Sequence, residues 1–154
     1  MSIMDKTTRK TLLYRGGFKS TEYCLNHVEG CIHGCKYPCY ANLIKKGLGK
    51  IKDYKEWIRP KLVENALELF DMEMKQHVGR ISRVYMCFAT DIFMKGYPEI
   101  WDLSLRIIDR LNTSEIPVTT LTKGFSLFPP FFHGKKRDTR ASLAANDSPI
   151  LKCA

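Results

Sequence analysis

Arg83-Val84-Tyr85-Met86-Cys87-Phe88-Ala89-Thr90 is a near-continuous apolar run, and Asp91 follows it directly. A run without polar alternation is the pattern of a parallel strand covered on both faces. Downstream, Pro98 suits the first turn of a helix in which Ile100, Trp101, Leu103, Leu105, Ile107, Ile108 and Leu111 recur, with Asn112 in its C-terminal region. Pro117-Val118-Thr119-Thr120-Leu121-Thr122 then reads as another strand, closed by Lys123-Gly124. This succession is a βαβ unit, which fixes parallel strands and a right-handed crossover.

Upstream, Leu62, Val63, Ala66, Leu67, Phe70 and Met74 recur at three- and four-residue spacing, which predicts a helix over 60–75. Asp53 and Glu56 form a capping-box pair. Residues 41–52, ANLIKKGLGKIK, are basic, and their two glycines argue against a long helix. Tyr23-Cys24-Leu25-Asn26-His27-Val28 predicts a short strand that ends at Gly30. Three strands alternating with helices give an α/β fold with a parallel sheet. Residues 1–20 read as a flexible basic lead-in broken at Gly16-Gly17, residues 21–124 as the core, and residues 125–154, beginning FSLFPPFF, as an irregular tail.

The 154 residues, 44% hydrophobic and 27% charged, suit one globular domain and exclude a disordered tail. No apolar run approaches the roughly 18 residues of a membrane span, and the first residues are too polar for a secretory signal, so a cytoplasmic location is expected. The net charge of +9 falls mainly in the first sixty residues. That excess suits a nucleic acid, an anionic cofactor, an acidic partner or simply a solvated surface.

Six cysteines stand at 24, 31, 35, 39, 87 and 153. Three of them crowd into residues 31–39, and without an export signal such a cluster points to metal binding or catalysis rather than disulfides. Zinc would need a fourth ligand, which His27 or His33 could supply. An iron–sulfur cluster can use three cysteines and leave one iron open to a ligand.

The segment Asn26-His27-Val28-Glu29-Gly30-Cys31-Ile32-His33-Gly34-Cys35-Lys36-Tyr37-Pro38-Cys39-Tyr40-Ala41 resembles the radical S-adenosylmethionine enzymes, in particular the spore photoproduct lyase-like branch. The resemblance spans roughly residues 22–124 and implies a partial (β/α) barrel of the radical S-adenosylmethionine type. It also implies a [4Fe–4S] cluster on Cys31, Cys35 and Cys39, with S-adenosyl-L-methionine chelated at the open iron. An external one-electron reductant would drive formation of a 5′-deoxyadenosyl radical. Pro38 departs from the family pattern by adding a residue to the second gap and displacing Tyr37. The aromatic contact to adenine therefore falls to Tyr37 or Tyr40. Ala89-Thr90-Asp91 stands where the family holds the methionine amino group, and a carboxylate suits an ammonium there. Leu121-Thr122-Lys123 resembles the branch's Thr-Lys pair, with Lys123 toward the methionine carboxylate. All three segments follow predicted strands, at the edge where parallel α/β folds bind ligands.

Strand alternation would place Cys87, Ala89 and Asp91 on one face, making Cys87 a hydrogen-atom donor or a small buried hydrophobe. Cys24 reads as core and Cys153 as a loose thiol in the tail. His33 would hydrogen-bond a cluster sulfide or the loop backbone. The chain is short against the ~250 residues of a full barrel, so two further readings compete with an active enzyme. One is a truncated, inactive relative or one that acts with a partner chain completing the fold. The other is a zinc-binding module associated with nucleic acid. The substrate is not legible, although DNA or RNA would suit the basic residues.

Overall fold

The computed structural model describes residues 4–16, 19–35 and 39–123. In chain order the strands are β1 (Asp5–Thr7), β2 (Leu13–Arg15), β3 (Glu22–Leu25), β4 (Val28–Glu29), β5 (Lys61–Val63), β6 (Arg83–Met86) and β7 (Val118–Thr120). The helices are α1 (Tyr40–Gly47) and α2 (Tyr54–Trp57) between β4 and β5, α3 (Ala66–Gln76) before β6, and α4 (Pro98–Thr113) before β7. They form a mixed α/β fold with two open mixed sheets, one ordered β2-β3-β6-β7 and the other β1-β5-β4. Neither sheet closes into a barrel among the described residues.

β3, β6 and β7 lie parallel and adjacent, with Tyr23 opposite Val84 and Val84 opposite Val118, but the first strand, expected over 23–28, is divided: it stops at Leu25, and Val28 belongs to β4 of the other sheet. Alternate residues Tyr23, Leu25, Val84 and Met86 are buried. They share one core with Ala66, Leu69 and Phe70 of α3 and Leu103, Ile107, Ile108 and Leu111 of α4. Each large apolar side chain removed from water there contributes on the order of 1.5–3 kcal/mol. α4 begins at Pro98 as expected, and its buried residues keep three- and four-residue spacing.

The expected helix over 60–75 is corrected in its first turn. Lys61, Leu62 and Val63 form β5, the central strand of the second sheet, paired with β1 on one side and β4 on the other. Apolar spacing at 62 and 63 reported burial, and two flanking strands then overrode helical periodicity. The helix starts only at Ala66.

Residues 4–16 also prove to be more than a lead-in, because they hold β1 and β2, and Leu12 is fully buried. The Glu73 carboxylate on α3 accepts from the backbone N–H of Leu12 at 2.9 Å and of Leu13 at 2.6 Å. Arg9 donates to the carbonyl of Asn26 at 2.9 Å and pairs with Glu29. The polar composition of this stretch hid it, since its pairing partners lie far along the chain.

α1 has eight residues and ends on Gly47, with Gly49 just beyond its C-cap at φ +66, as the two glycines led one to expect of a short helix. Asp53 caps α2 by accepting from the Glu56 N–H at 2.9 Å. Glu56 reaches back to the N–H of Lys52, one residue before the usual capping-box partner.

Candidate functional site

The cysteine loop leaves β4 through Gly30, whose φ is +83. A Cβ there would stand 2.6 Å from the backbone oxygen of Trp57 and 3.1 Å from that of Arg59, so only glycine lets the loop pass beside α2. The next residue, Cys31, donates its N–H to Trp57 O at 3.0 Å. Burial pushes the Cys31 thiol up, and the Asp91 and Cys35 charges add to that, against hydrogen bonds from the His33 and Asp91 amides.

Asp91 joins three segments. It is 5% exposed. Its Oδ1 accepts from the Phe93 N–H and the Thr122 hydroxyl, both at 2.8 Å. Its Oδ2 accepts from the Lys123 N–H at 2.6 Å and lies 2.8 Å from Nε2 of His33. Burial alone would raise its carboxyl. The His33 side chain, the Lys123 and Phe93 amides and the Thr122 hydroxyl outweigh that and hold it below the usual carboxylate range.

Lys123 turns its ammonium to the same loop, with Nζ 3.1 Å from Cys35 Sγ. Cys31, His33 and Cys35 therefore meet Asp91, Thr122 and Lys123 just beyond the C-terminal ends of β6 and β7. Cys39 is the N-cap of α1, and Tyr40 follows it, half exposed, donating its phenol to Phe88 O. Burial, and then the neighbouring Cys39, push that phenol up. Thr90 is buried, and its hydroxyl donates to Val28 O at 3.4 Å. Tyr37 and Pro38 lie outside the described residues, as do Cys153 and the tail.

All five described cysteines are free thiols. Among the described residues no three His, Cys, Asp or Glu side chains stand close enough to share a single metal ion.

The expectation that Cys87, Ala89 and Asp91 share a strand face is corrected. β6 ends at Met86, and Cys87 takes φ +53 at the start of a turn, so alternation stops there. Cys87 is fully buried, with Sγ 3.3 Å from Nδ1 of His27. On the other side of that ring, Nε2 lies 2.7 Å from Ser104 Oγ, and Ser104 donates to Ile100 O at 2.6 Å. With Ser104 donating, Nε2–H must be the imidazole donor and Nδ1 the acceptor for the Cys87 thiol. Every member is then satisfied and neutral. Burial, then the Arg9 charge, drop His27 to about 3. Burial raises Cys87 to about 11, against hydrogen bonds from the His27 and Val28 amides and Thr90.

His27 is thereby ruled out as a fourth metal ligand to the loop, because both ring nitrogens are engaged in the core. Sequence reasoning also missed the His33–Asp91 contact and the buried Cys87–His27–Ser104 chain. The latter joins residues 60 and 77 positions apart, for which no local pattern exists.

Among the described residues no helix is long and apolar enough to cross a membrane. Comparisons of the chain with protein-family models, with curated proteins and with solved structures found no match.

Proposed function

We propose that this chain is a radical S-adenosylmethionine protein, cytoplasmic, with a partial (β/α) barrel of that type, holding a [4Fe–4S] cluster on Cys31, Cys35 and Cys39. The observation that carries the reading is the meeting of the cysteine loop with Asp91 and Lys123 at the ends of parallel strands. The donor chemistry fits the group: three free thiols on one loop, amide N–H groups directed at Cys31 and an ammonium beside Cys35. A four-iron cluster takes each thiolate on a separate iron, so the three need not converge on one point.

When bound, the cluster and S-adenosylmethionine supply one-electron cleavage of the sulfonium, yielding methionine and a 5′-deoxyadenosyl radical that abstracts hydrogen from substrate. The chain's own part is to bind and orient. Cys31, Cys35 and Cys39 anchor the cluster. Asp91 and Thr90 take the methionine ammonium, Lys123 takes its carboxylate, and Tyr40 or Tyr37 contacts the adenine. In this reading Cys87 is structural, since its thiol is spent on a buried imidazole. A second reading, cluster binding without unaided cleavage, draws support from the open sheet, in which β7 is an edge strand among the described residues.

Anaerobic reconstitution with iron and sulfide tests both. The expected result is a brown protein that cleaves S-adenosylmethionine under dithionite. Cluster formation without cleavage supports the second reading, and a colourless protein with one stoichiometric zinc supports a zinc module instead. Replacing Cys31, Cys35 or Cys39 by alanine should remove most bound iron, while Cys24→Ala should not. Equal iron retention in Cys35→Ala would sink the assignment.

A further inference from the structure

The turn that ends α1 brings two lysines together. Its C-cap is Leu48, and Gly49 follows in the left-handed region. The Lys50 N–H donates to Lys45 O and the Gly49 N–H to Lys46 O, both at 2.9 Å. This crossed pair is the Schellman arrangement, in which the side chains standing where 45 and 50 stand commonly close an apolar contact over the helix end. Here both are lysines. Such a departure from a local rule, at the cost of like-charge repulsion, is expected where a site demands it.

Lys45 and Lys50 line a cleft together with Arg59 and Lys61, beside Gly30 and Trp57. The two carboxylates of the cleft already have cations: Arg9 pairs with Glu29, and Lys61 lies 3.6 Å from Glu56. Lys45, Lys50 and Arg59 are left in surplus, and among the described residues none of the three forms an ion pair. The surplus is felt electrostatically. Burial alone would raise the Glu29 carboxyl, but Arg9, with Lys45 and Lys50 behind it, holds it below the usual carboxylate range. Burial also pushes the Lys45 ammonium down, and repulsion from Lys50 and Arg9 adds to that against the pull of Glu29.

We propose that this cleft binds the terminal phosphate of a small phosphorylated molecule, held by Lys45, Lys50 and Arg59. A terminal phosphate carries about two negative charges at neutral pH and offers three strong acceptor oxygens, which matches three surplus cations. The Arg59 guanidinium suits two of those oxygens at once, and the lysines act as point charges on the third. A backbone phosphodiester presents a single charge and would leave the surplus unmet. The cleft shares no lining residue with the junction of Cys35, Asp91 and Lys123, so it is a site of its own. Nothing in the inference depends on the proposed cluster.

The test is calorimetry of the full chain without iron, titrated with inorganic phosphate, with glycerol 3-phosphate and with glycerol. Both phosphates should bind and glycerol should not. Lys50→Gln and Arg59→Gln should each weaken phosphate binding about tenfold, since each removes one charged hydrogen bond. Lys46→Gln removes the same charge outside the cleft and should change affinity less than about twofold, as for any solvent-screened charge. Gly49→Val keeps every charge but disfavours the left-handed turn that sets Lys50 on Lys45, so it should weaken binding as well. Circular dichroism reports whether that variant keeps its helices; if it does not, the Lys50 and Arg59 variants decide alone. No binding of either phosphate at millimolar concentration would overturn the proposal. So would equal losses in Lys46→Gln and Lys50→Gln, or a folded Gly49→Val that binds as the parent does. A single-stranded DNA oligomer that displaces glycerol 3-phosphate and weakens alike in all the lysine variants would replace the proposal with a polyanion surface. Because no iron is present, failure to assemble a cluster leaves each of these outcomes standing.

Discussion

Nζ of Lys123 lies 3.1 Å from Sγ of Cys35, across 88 residues of sequence. The backbone N–H of the same lysine is held by Asp91. The end of β7 is thus pinned to the end of β6 while its side chain reaches the cysteine loop.

Lys123→Met keeps the aliphatic stem and removes the charge. A hydrogen bond to a charged group is worth about 1.5–3 kcal/mol, so S-adenosylmethionine affinity should fall roughly ten- to hundredfold with bound iron unchanged. Calorimetric titration of the reconstituted variant reads this directly. Unaltered affinity would remove Lys123 from the cofactor site.

Asp91→Asn is nearly isosteric yet places an amide where His33, Thr122 and two backbone N–H groups expect a carboxylate. One oxygen's partners must go unmatched. Urea denaturation should show a loss of about 1–3 kcal/mol, and S-adenosylmethionine affinity should weaken with the cluster intact. A stability change below about 0.5 kcal/mol, the range of an ordinary surface substitution, would contradict the role of Asp91 as a junction.

Glu73→Ala tests how the first strands are held. It strips the acceptor from the Leu12 and Leu13 N–H groups, in a region where Leu12 has no contact with water. Each orphaned buried donor costs about 1–3 kcal/mol. Glu73→Gln keeps one acceptor oxygen and should cost less than Glu73→Ala. Equal losses in the two variants would mean that packing, not these hydrogen bonds, sets the effect.

His27 makes stability depend on pH. Its folded value of about 3 lies below the ordinary 6.5, so over that interval the unfolded chain binds a proton that the folded chain does not. Stability should therefore fall as pH drops from about 6.5 toward 3, and should be insensitive to this group above 6.5. His27→Gln should flatten that slope while lowering stability at neutral pH, because Gln does not titrate and fits the Cys87 and Ser104 partners less well. Denaturation curves across this range would show it. A parent slope as flat as the variant's would contradict the buried neutral imidazole.

Local signals carried a good part of the fold. The near-continuous apolar run at 83–90 supplied β6 over its first four residues, Pro98 opened α4, and Asp53 capped α2, because each depends on residues a few positions apart. The same reasoning failed at Leu62 and Val63, where apolar spacing reports burial but not whether the buried backbone is helix or strand. It failed at Leu12 and Leu13 because an edge strand tied down by Glu73 has no periodicity of its own.

Sequence by itself determined the cysteine spacing, the turn at Gly30 and the βαβ order that sets Asp91 and segment 121–123 after the parallel strands β6 and β7. Those are properties of nearest neighbours and of chain chirality. Only the tertiary structure decided that Asp91 faces His33, that Lys123 meets Cys35, and that Cys87 turns away into the core to meet His27. Such pairings depend on strand register and on where each strand stops. Register is set by side-chain packing across the whole sheet, and a single positive φ at Cys87 redirects every side chain after it.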